Sequence, residues 1–366
     1  MIRLSKPYFP PEAVEAATAV LKSGNLVQGE YVLKFETELS AFLNVKHAVV
    51  VSNGTAALHL SLLSLGIGPG DEVIVPAFTF PATANVVERC GAKPVFVDIG
   101  LDDFCMDPAK IEMAITPNTR VIMPVHEFGQ SAEMDKIMQI ARSHGLTVVE
   151  DAACALGTEF RDRKSGTFGI LGCFSFHPRK AITTGEGGAI VTNDDDLASK
   201  LRILRNHGIE QIDGFNDFTL AGFNYRMTDF QAVLGYCQML EIDHFIRKRI
   251  EIADQYTAGL SGCSTVKTPA VLPGRTNVYQ TYHVLVDERF NRDILKKRLF
   301  ENGIETNYGA NALHVLKFYR EKYSFKPGDF PNALRSFRQG LALPVSLYIG
   351  NEEIQYVCDQ VKSMTA

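Results

Sequence analysis

No C-x-x-C pair occurs in this chain of 366 residues, and its seven cysteines (Cys90, Cys105, Cys154, Cys173, Cys237, Cys263 and Cys358) are widely spaced and odd in number. That argues against a disulfide framework and against a zinc site, and leaves the thiols as small apolar side chains in a reducing compartment. A basic excess is also lacking: 37 Lys and Arg face 42 Asp and Glu, for a net charge of −5. No overall field draws the chain to nucleic acid or to anionic lipid. No apolar run approaches the ~20 residues that span a bilayer. Met1–Pro10 is polar and proline-bearing, without the apolar stretch of a signal peptide. The expectation is a cytoplasmic protein with no nucleic-acid and no membrane partner. What is present is ordinary globular composition, 46% hydrophobic and 22% charged. The length suits two domains, or one large domain with an appendage.

Pro11–Ser23 has helical spacing and stops at Gly24, and Tyr31–Leu43 is amphipathic. From Lys46 the texture changes to short apolar strands alternating with helices. The expected strands are Ala48–Val51, Glu72–Pro76, Pro94–Asp98, Val121–Val125, Thr147–Glu150, Cys173–Phe176 and Ala189–Thr192. The helices between them include Ala56–Leu65, Ala82–Cys90, Pro108–Ala114 and Met134–His144. Such alternation implies an α/β fold with a mostly parallel sheet covered on both faces. Phe215–Met227 reads as a functional loop, and Thr228–Asp254 as a long helical stretch that could link two domains. A strand at Tyr282–Val286 and helices at Arg292–Asn302 and Glu352–Met364 would build a smaller α+β domain. The division expected is 1–245 for a large domain with an N-terminal helical segment and 246–366 for the small one.

Three features fall near strand ends, where open α/β sheets bind ligands. Asn53-Gly54-Thr55 stands between a strand and an apolar helix, so free backbone N–H groups and the helix dipole could seat an anion. A simple helix cap explains it equally well. Asp151 ends a buried strand, where a carboxylate needs a cationic or hydrogen-bonding partner. A protonated pyridine nitrogen, an arginine or a helix N-terminus would each serve. Lys180 follows the run Phe174-Ser175-Phe176-His177-Pro178-Arg179 and precedes Thr183-Thr184-Gly185-Glu186-Gly187-Gly188. In a closed pocket its amine would become nucleophilic, whereas an arbitrary lysine is solvated and a glycine-rich turn is often a hairpin. Together the three supply a phosphate seat, a pyridinium partner and a Schiff-base lysine, a set that suits pyridoxal phosphate (PLP). Gly66, Gly68 and Gly70 imitate a dinucleotide loop, but they follow a helix instead of a strand.

These residues, with Ser52–Leu58, Gly70–Pro76, Glu150–Ala153, Arg205–Gly208 and Gly222–Arg226, resemble the DegT/DnrJ/EryC1/StrS family of nucleotide-sugar aminotransferases over nearly the whole chain. The resemblance implies the aspartate aminotransferase-like PLP-dependent transferase fold. It implies Lys180 as the internal-aldimine lysine and Asp151 as partner of the ring nitrogen. It further implies that Phe80 stacks on the ring, and that the backbone of Gly54, Thr55 and Ala56 holds the phosphate with the Ser175 hydroxyl. Asn224 would reach the phosphate of a second subunit, so a homodimer with shared active sites is implied. One position departs: Cys154 stands where the family has Gln or His on the cofactor's ring side. A thiol is a weak donor, so that contact is either absent or supplied elsewhere.

The implied reaction moves an amino group from L-glutamate to a nucleotide-linked keto-deoxysugar. The His177-Pro178 and Thr184–Gly188 variants resemble the 4-aminating members more than the 3-aminating ones. Asn25, His177, His207, Tyr308 and His314 are candidates for the substrate pocket. The competing readings are a 3-aminating enzyme, and a non-catalytic regulator of cell-wall biogenesis that binds PLP or sugar without turnover.

Overall fold

Six of the strands expected from the sequence lie almost wholly out of contact with water, and their neighbours explain why. The computed structural model describes residues 1–365. Its main sheet has seven strands: β1 (His47–Val51), β2 (Glu72–Pro76), β3 (Lys93–Val97), β4 (Thr119–Ile122), β5 (Thr147–Asp151), β6 (Leu171–Ser175) and β7 (Gly188–Thr192), in the order β1-β7-β6-β5-β4-β2-β3. Alternate residues serve opposite faces. Val49, Val51, Cys173 and Ile190 face one apolar layer, with Leu58, Leu62, Val86 and Leu201 from covering helices. Ala48, Val50, Phe174 and Val191 face the other, with Phe35, Leu39, Met239 and Phe245.

All adjacent pairs are parallel except those of β7, which runs antiparallel to both β1 and β6. The cause is the connection. No crossover helix separates β6 from β7, so the chain turns back on itself. The returning loop, residues 176–187, carries Lys180. The register then sets Val51, Gly188 and Ser175 side by side. Glycine is needed at this row: a Cβ on Gly188 would lie 2.6 Å from the Asn53 carbonyl, and one on Gly54 would lie 2.8 Å from Ser175 Cβ.

A second sheet is antiparallel and three-stranded: β8 (Val266–Lys267), β9 (Tyr282–Val286) and β10 (Gly340–Leu343). Its core joins Tyr256, Tyr282, Val284 and Leu341 to Val357 and Val361. Ile2 pairs with Ile304, and Leu4 accepts a hydrogen bond from the Val345 N–H, so the N-terminal residues run against this layer. The residue pair 245/246 falls inside the helix Ile242–Gly259.

Two expectations are corrected. Thr228–Asp254 is not one helix: Asp229–Met239 ends, and Ile242–Gly259 begins after Glu241. Met239, Ile242 and Phe245 enter the same apolar cluster, so the periodicity runs on through the break and conceals it. The expected loop at Phe215–Met227 begins as a strand, Phe215–Phe218, hairpinned to Ile209–Ile212 through Asp213 (φ 51°) and Gly214 (φ 83°). That Asp-Gly turn is a strong hairpin signal. Among the described residues no helix is long and apolar enough to cross a membrane.

Candidate active site

The three features read from the sequence line one cavity of about 490 Å³, together with residues of the second sheet's layer such as Ala342 and Val345. The helix Gly54–Ser64 is buried nearly all round, and its N-terminus opens into this cavity. The Asn53 side chain caps that helix, accepting the Ala56 N–H at 2.8 Å. The cap reading holds for the Ala56 N–H, and the Gly54 and Thr55 N–H groups remain for the anion seat that the sequence suggests. Ala56 is corrected: its N–H is engaged by Asn53 and it does not line the cavity, whereas Gly54 and Thr55 do. Ser175, at the end of β6, lines the cavity beside them.

Asp151 is the last residue of β5 and is buried. The Thr83 hydroxyl donates to its Oδ2 at 2.8 Å and the Ala153 N–H to its Oδ1 at 3.1 Å. Burial pushes this carboxyl above its ordinary range, while the Thr83 and Ala153 bonds and the Lys180 charge act against that rise. Behind it lies a wholly buried pair, His126 Nε2 to Glu150 Oε2 at 2.8 Å. His126 Nδ1 accepts the Ala132 N–H at 3.0 Å, so Nε2 carries the proton. Glu150 also takes the N–H groups of Gly166 and Gly169. The His126 N–H donates to the Asp151 carbonyl at 3.1 Å, which ties this pair to the strand end.

Lys180 Nζ donates to Cys154 Sγ at 3.1 Å. Burial raises the Cys154 thiol, which keeps it protonated, with Lys180 opposing. The Lys180 backbone is held by Arg249, whose Nη2 donates to the Lys180 carbonyl at 3.0 Å. His177 also lines the cavity, and burial followed by the Arg179 charge lowers its imidazole, favouring the neutral ring. Phe80 stands at the cavity with its ring 61% exposed, an open apolar face for a flat ligand.

The other expected contacts do not reach this cavity within the chain. Asn25, His207 and Asn224 are exposed. Tyr308 packs edge-on to Phe337, between the lining residues Asn307 and Gly309. His314 is corrected to a core residue: it is fully buried, bonded to the Pro327 carbonyl at 3.1 Å and packed on Phe330.

Glu127 escaped the sequence reading although it lines the cavity and is only 4% exposed. The signal existed, since it stands just past the expected strand Val121–Val125 as Asp151 stands just past the expected strand Thr147–Glu150. Burial, then the neighbouring Asp151 charge, pushes its carboxyl from 4.5 up to about 8. Because the folded state binds this proton more tightly than the unfolded one, the stability it contributes is whole below pH 4.5 and is lost as pH rises through about 8. Between about pH 5 and pH 9 the cofactor-free protein should lose up to about 4 kcal/mol from this group, less whatever water entering the cavity restores. Thermal melts across that range should therefore fall less steeply for Glu127→Gln than for wild type. Parallel curves would show that Glu127 ionises freely.

The donor set fits PLP: two free N–H groups and a hydroxyl for a phosphate, a buried carboxylate for a ring nitrogen, and a lysine amine within the same cavity. Comparison with known proteins agrees. A GDP-perosamine synthase of Caulobacter vibrioides is 44% identical over 295 residues, covering 80% of this chain and 79% of that one. DesV of S. venezuelae superposes with a TM-score of 0.90 at 35% identity, covering 98% of each chain. A Streptococcus pneumoniae protein solved in its PLP form superposes with a TM-score of 0.94 at 29% identity, covering 100% of this chain and 98% of that one. With the family's sequence profile matching residues 8–362, the chain belongs to the DegT/DnrJ/EryC1/StrS aminotransferase family of PLP-dependent enzymes.

Proposed function

We propose that this enzyme moves an amino group from L-glutamate to C4 of a nucleotide-linked keto-deoxysugar, with Lys180 as attachment point and proton carrier. The observation that carries this reading is the meeting of Lys180 and Asp151 in one cavity beside a free helix N-terminus. PLP, when bound, supplies an electron-accepting ring that takes up the electron pair left when a proton departs from the amine-bearing carbon. Gly54 and Thr55 N–H groups, with the Ser175 hydroxyl, bind its phosphate. Asp151, aimed by Thr83 and the Ala153 N–H, holds a proton on the ring nitrogen by its negative charge. Lys180 Nζ takes the proton from the donor's carbon and returns one on the far side of the transfer, as general base and then acid. Cys154 gives that amine a soft resting partner. Phe80 offers its face to the ring, and His177 lies where the sugar enters.

A homodimer with shared sites belongs to this reading. Phe215 and Phe218 on the hairpin are 78% and 68% exposed, which supports a second subunit covering them. Asn224 is exposed and outside its own chain's cavity, as a residue serving a partner's site would be. The nucleotide-linked acceptor is supported by the relative named GDP-perosamine synthase. The C4 choice rests on the His177-Pro178 and Thr184–Gly188 sequence. Product analysis with 4-keto and 3-keto sugar nucleotides and glutamate tests it, and an amine at C4 is expected. Turnover of only the 3-keto substrate overturns the C4 assignment, and turnover of neither overturns the acceptor class.

A further inference from the structure

Glu127 is a buried carboxyl in the cavity for which the reaction above has no use. It belongs to a short turn, Glu127–Gly129, in which Phe128 has φ 58° and Gly129 φ 100°. A left-handed phenylalanine is strained, and such strain persists only where surroundings fix it. Here they do. The Phe128 ring stacks on His283 at 4.3 Å and packs against Phe78 and Phe104. A Cβ on Gly129 would lie 2.9 Å from the Gln280 N–H nitrogen, so the turn has no room to relax. The clamped turn holds Glu127 at the cavity wall, where it lines the same space as Lys180, Asp151 and Cys154.

Glu127 Oε2 is buried with no hydrogen-bond partner among the described residues. Buried polar atoms are rarely left so, and one on a residue that lines a cavity is a place where a ligand atom can complete the set. PLP carries a phenolic oxygen on the ring carbon next to the one that joins the lysine. Glu127 acts electrostatically on both Asp151 and Lys180, the groups that take the two ends of that ring. Cys154, the residue that departs from the family pattern, is a weak donor already engaged with Lys180. We propose that Glu127 Oε2 hydrogen-bonds the phenolic oxygen of bound PLP, serving as the ring-side partner that Cys154 is too weak to be. Glu127 is then a positioning residue for the cofactor, and this role rests on the PLP reading above.

The charged and titratable groups facing it are Asp151, Lys180, Cys154 and Cys105. Burial and the Asp151 charge keep its carboxyl neutral up to about pH 8, so it is a donor at neutral pH. The affinity of the wild-type protein for PLP should therefore fall as pH passes about 8.

The test compares wild type, Glu127→Gln, Glu127→Leu and the double variant Glu127→Leu/Cys154→Gln. Two quantities are read: the PLP dissociation constant across pH, and the pH midpoint of the bound cofactor's absorbance change. Glu127→Leu should weaken binding about tenfold, the worth of one buried hydrogen bond, and shift the absorbance midpoint. Glu127→Gln keeps a donor amide, so binding should stay near wild type at neutral pH and lose its fall above pH 8. Adding Cys154→Gln to Glu127→Leu should recover most of the lost affinity. Unchanged affinity and midpoint in Glu127→Leu overturn the proposal, as does an equal loss in the Gln and Leu variants or no recovery in the double variant. Should Glu127→Leu fail to fold, the pH curves decide alone, and parallel curves for wild type and Glu127→Gln overturn it. A wild-type protein that takes no PLP sinks the enzyme reading itself, and this inference with it.

Discussion

Turnover by Lys180→Ala is expected to fall about 10⁴-fold, the upper range for removing a positioned general acid–base group. The variant should fold, because the lysine amine makes one weak hydrogen bond, to Cys154 Sγ at 3.1 Å, and supports no buried ion pair. Its backbone anchors, the bond from Lys180 N–H to the His177 carbonyl and the bond from Arg249 to the Lys180 carbonyl, survive the substitution. PLP should still bind through the phosphate seat and Asp151, but without covalent attachment. Removing the amine also relieves Cys154 and Glu127 of a positive neighbour, so both should hold their protons more tightly. Steady-state rates and melts made together check this. A rate loss matched by an equal loss of folded protein would mean that Lys180 is structural.

Asp151→Asn is expected to cost about 10³-fold in turnover, as when one preorganised electrostatic contact is deleted from a water-poor site. The substitution nearly preserves shape. Asparagine's carbonyl oxygen can still accept from the Ala153 N–H, and its amide N–H can donate to a Thr83 hydroxyl turned towards the Phe80 carbonyl, so geometry is a small part of the loss. What disappears is the charge proposed to keep a ring nitrogen protonated. Stability should move the other way. Burial pushes the Asp151 carboxyl up, so ionised Asp151 costs the cofactor-free protein free energy as pH rises through that raised value. The cofactor-free Asp151→Asn protein should consequently melt at the same temperature as wild type at acid pH and above it at alkaline pH. Functional sites commonly show this opposition of activity and stability. An Asp151→Asn enzyme that turns over at wild-type rate would remove Asp151 from the chemistry.

Local signals carried much of the fold. Pro11–Ser23 and Met134–His144 have the bounds that their periodicity and their following glycines give, with Gly24 and Gly145 both left-handed. Glu72–Pro76 and Tyr282–Val286 also match. The misses are non-local in cause. Nothing in Gly188–Thr192 says that it runs against its neighbours; the missing crossover helix says so. The break after Met239 leaves the apolar spacing intact. Gly340–Leu343 is a short strand without alternation, buried on every residue, and it was not read as a strand.

The site follows the same division. Asp151 and Ser175 end strands, and Gly54 and Lys180 stand in the chain that follows β1 and β6, so the sheet gathers all four at one cavity. His314 was misjudged because its burial comes from Phe330 and Pro327. Glu127 is less legible, because its orientation depends on a strained turn that the sequence does not announce.

The most direct measurement is the absorbance spectrum of the purified protein with PLP, before and after L-glutamate, with Lys180→Ala alongside. Wild type should show a lysine-linked band that gives way to the aminated form of the cofactor on adding glutamate, and Lys180→Ala should lack that band. A band that survives in Lys180→Ala, or a wild-type spectrum that no amino donor changes, would contradict the account.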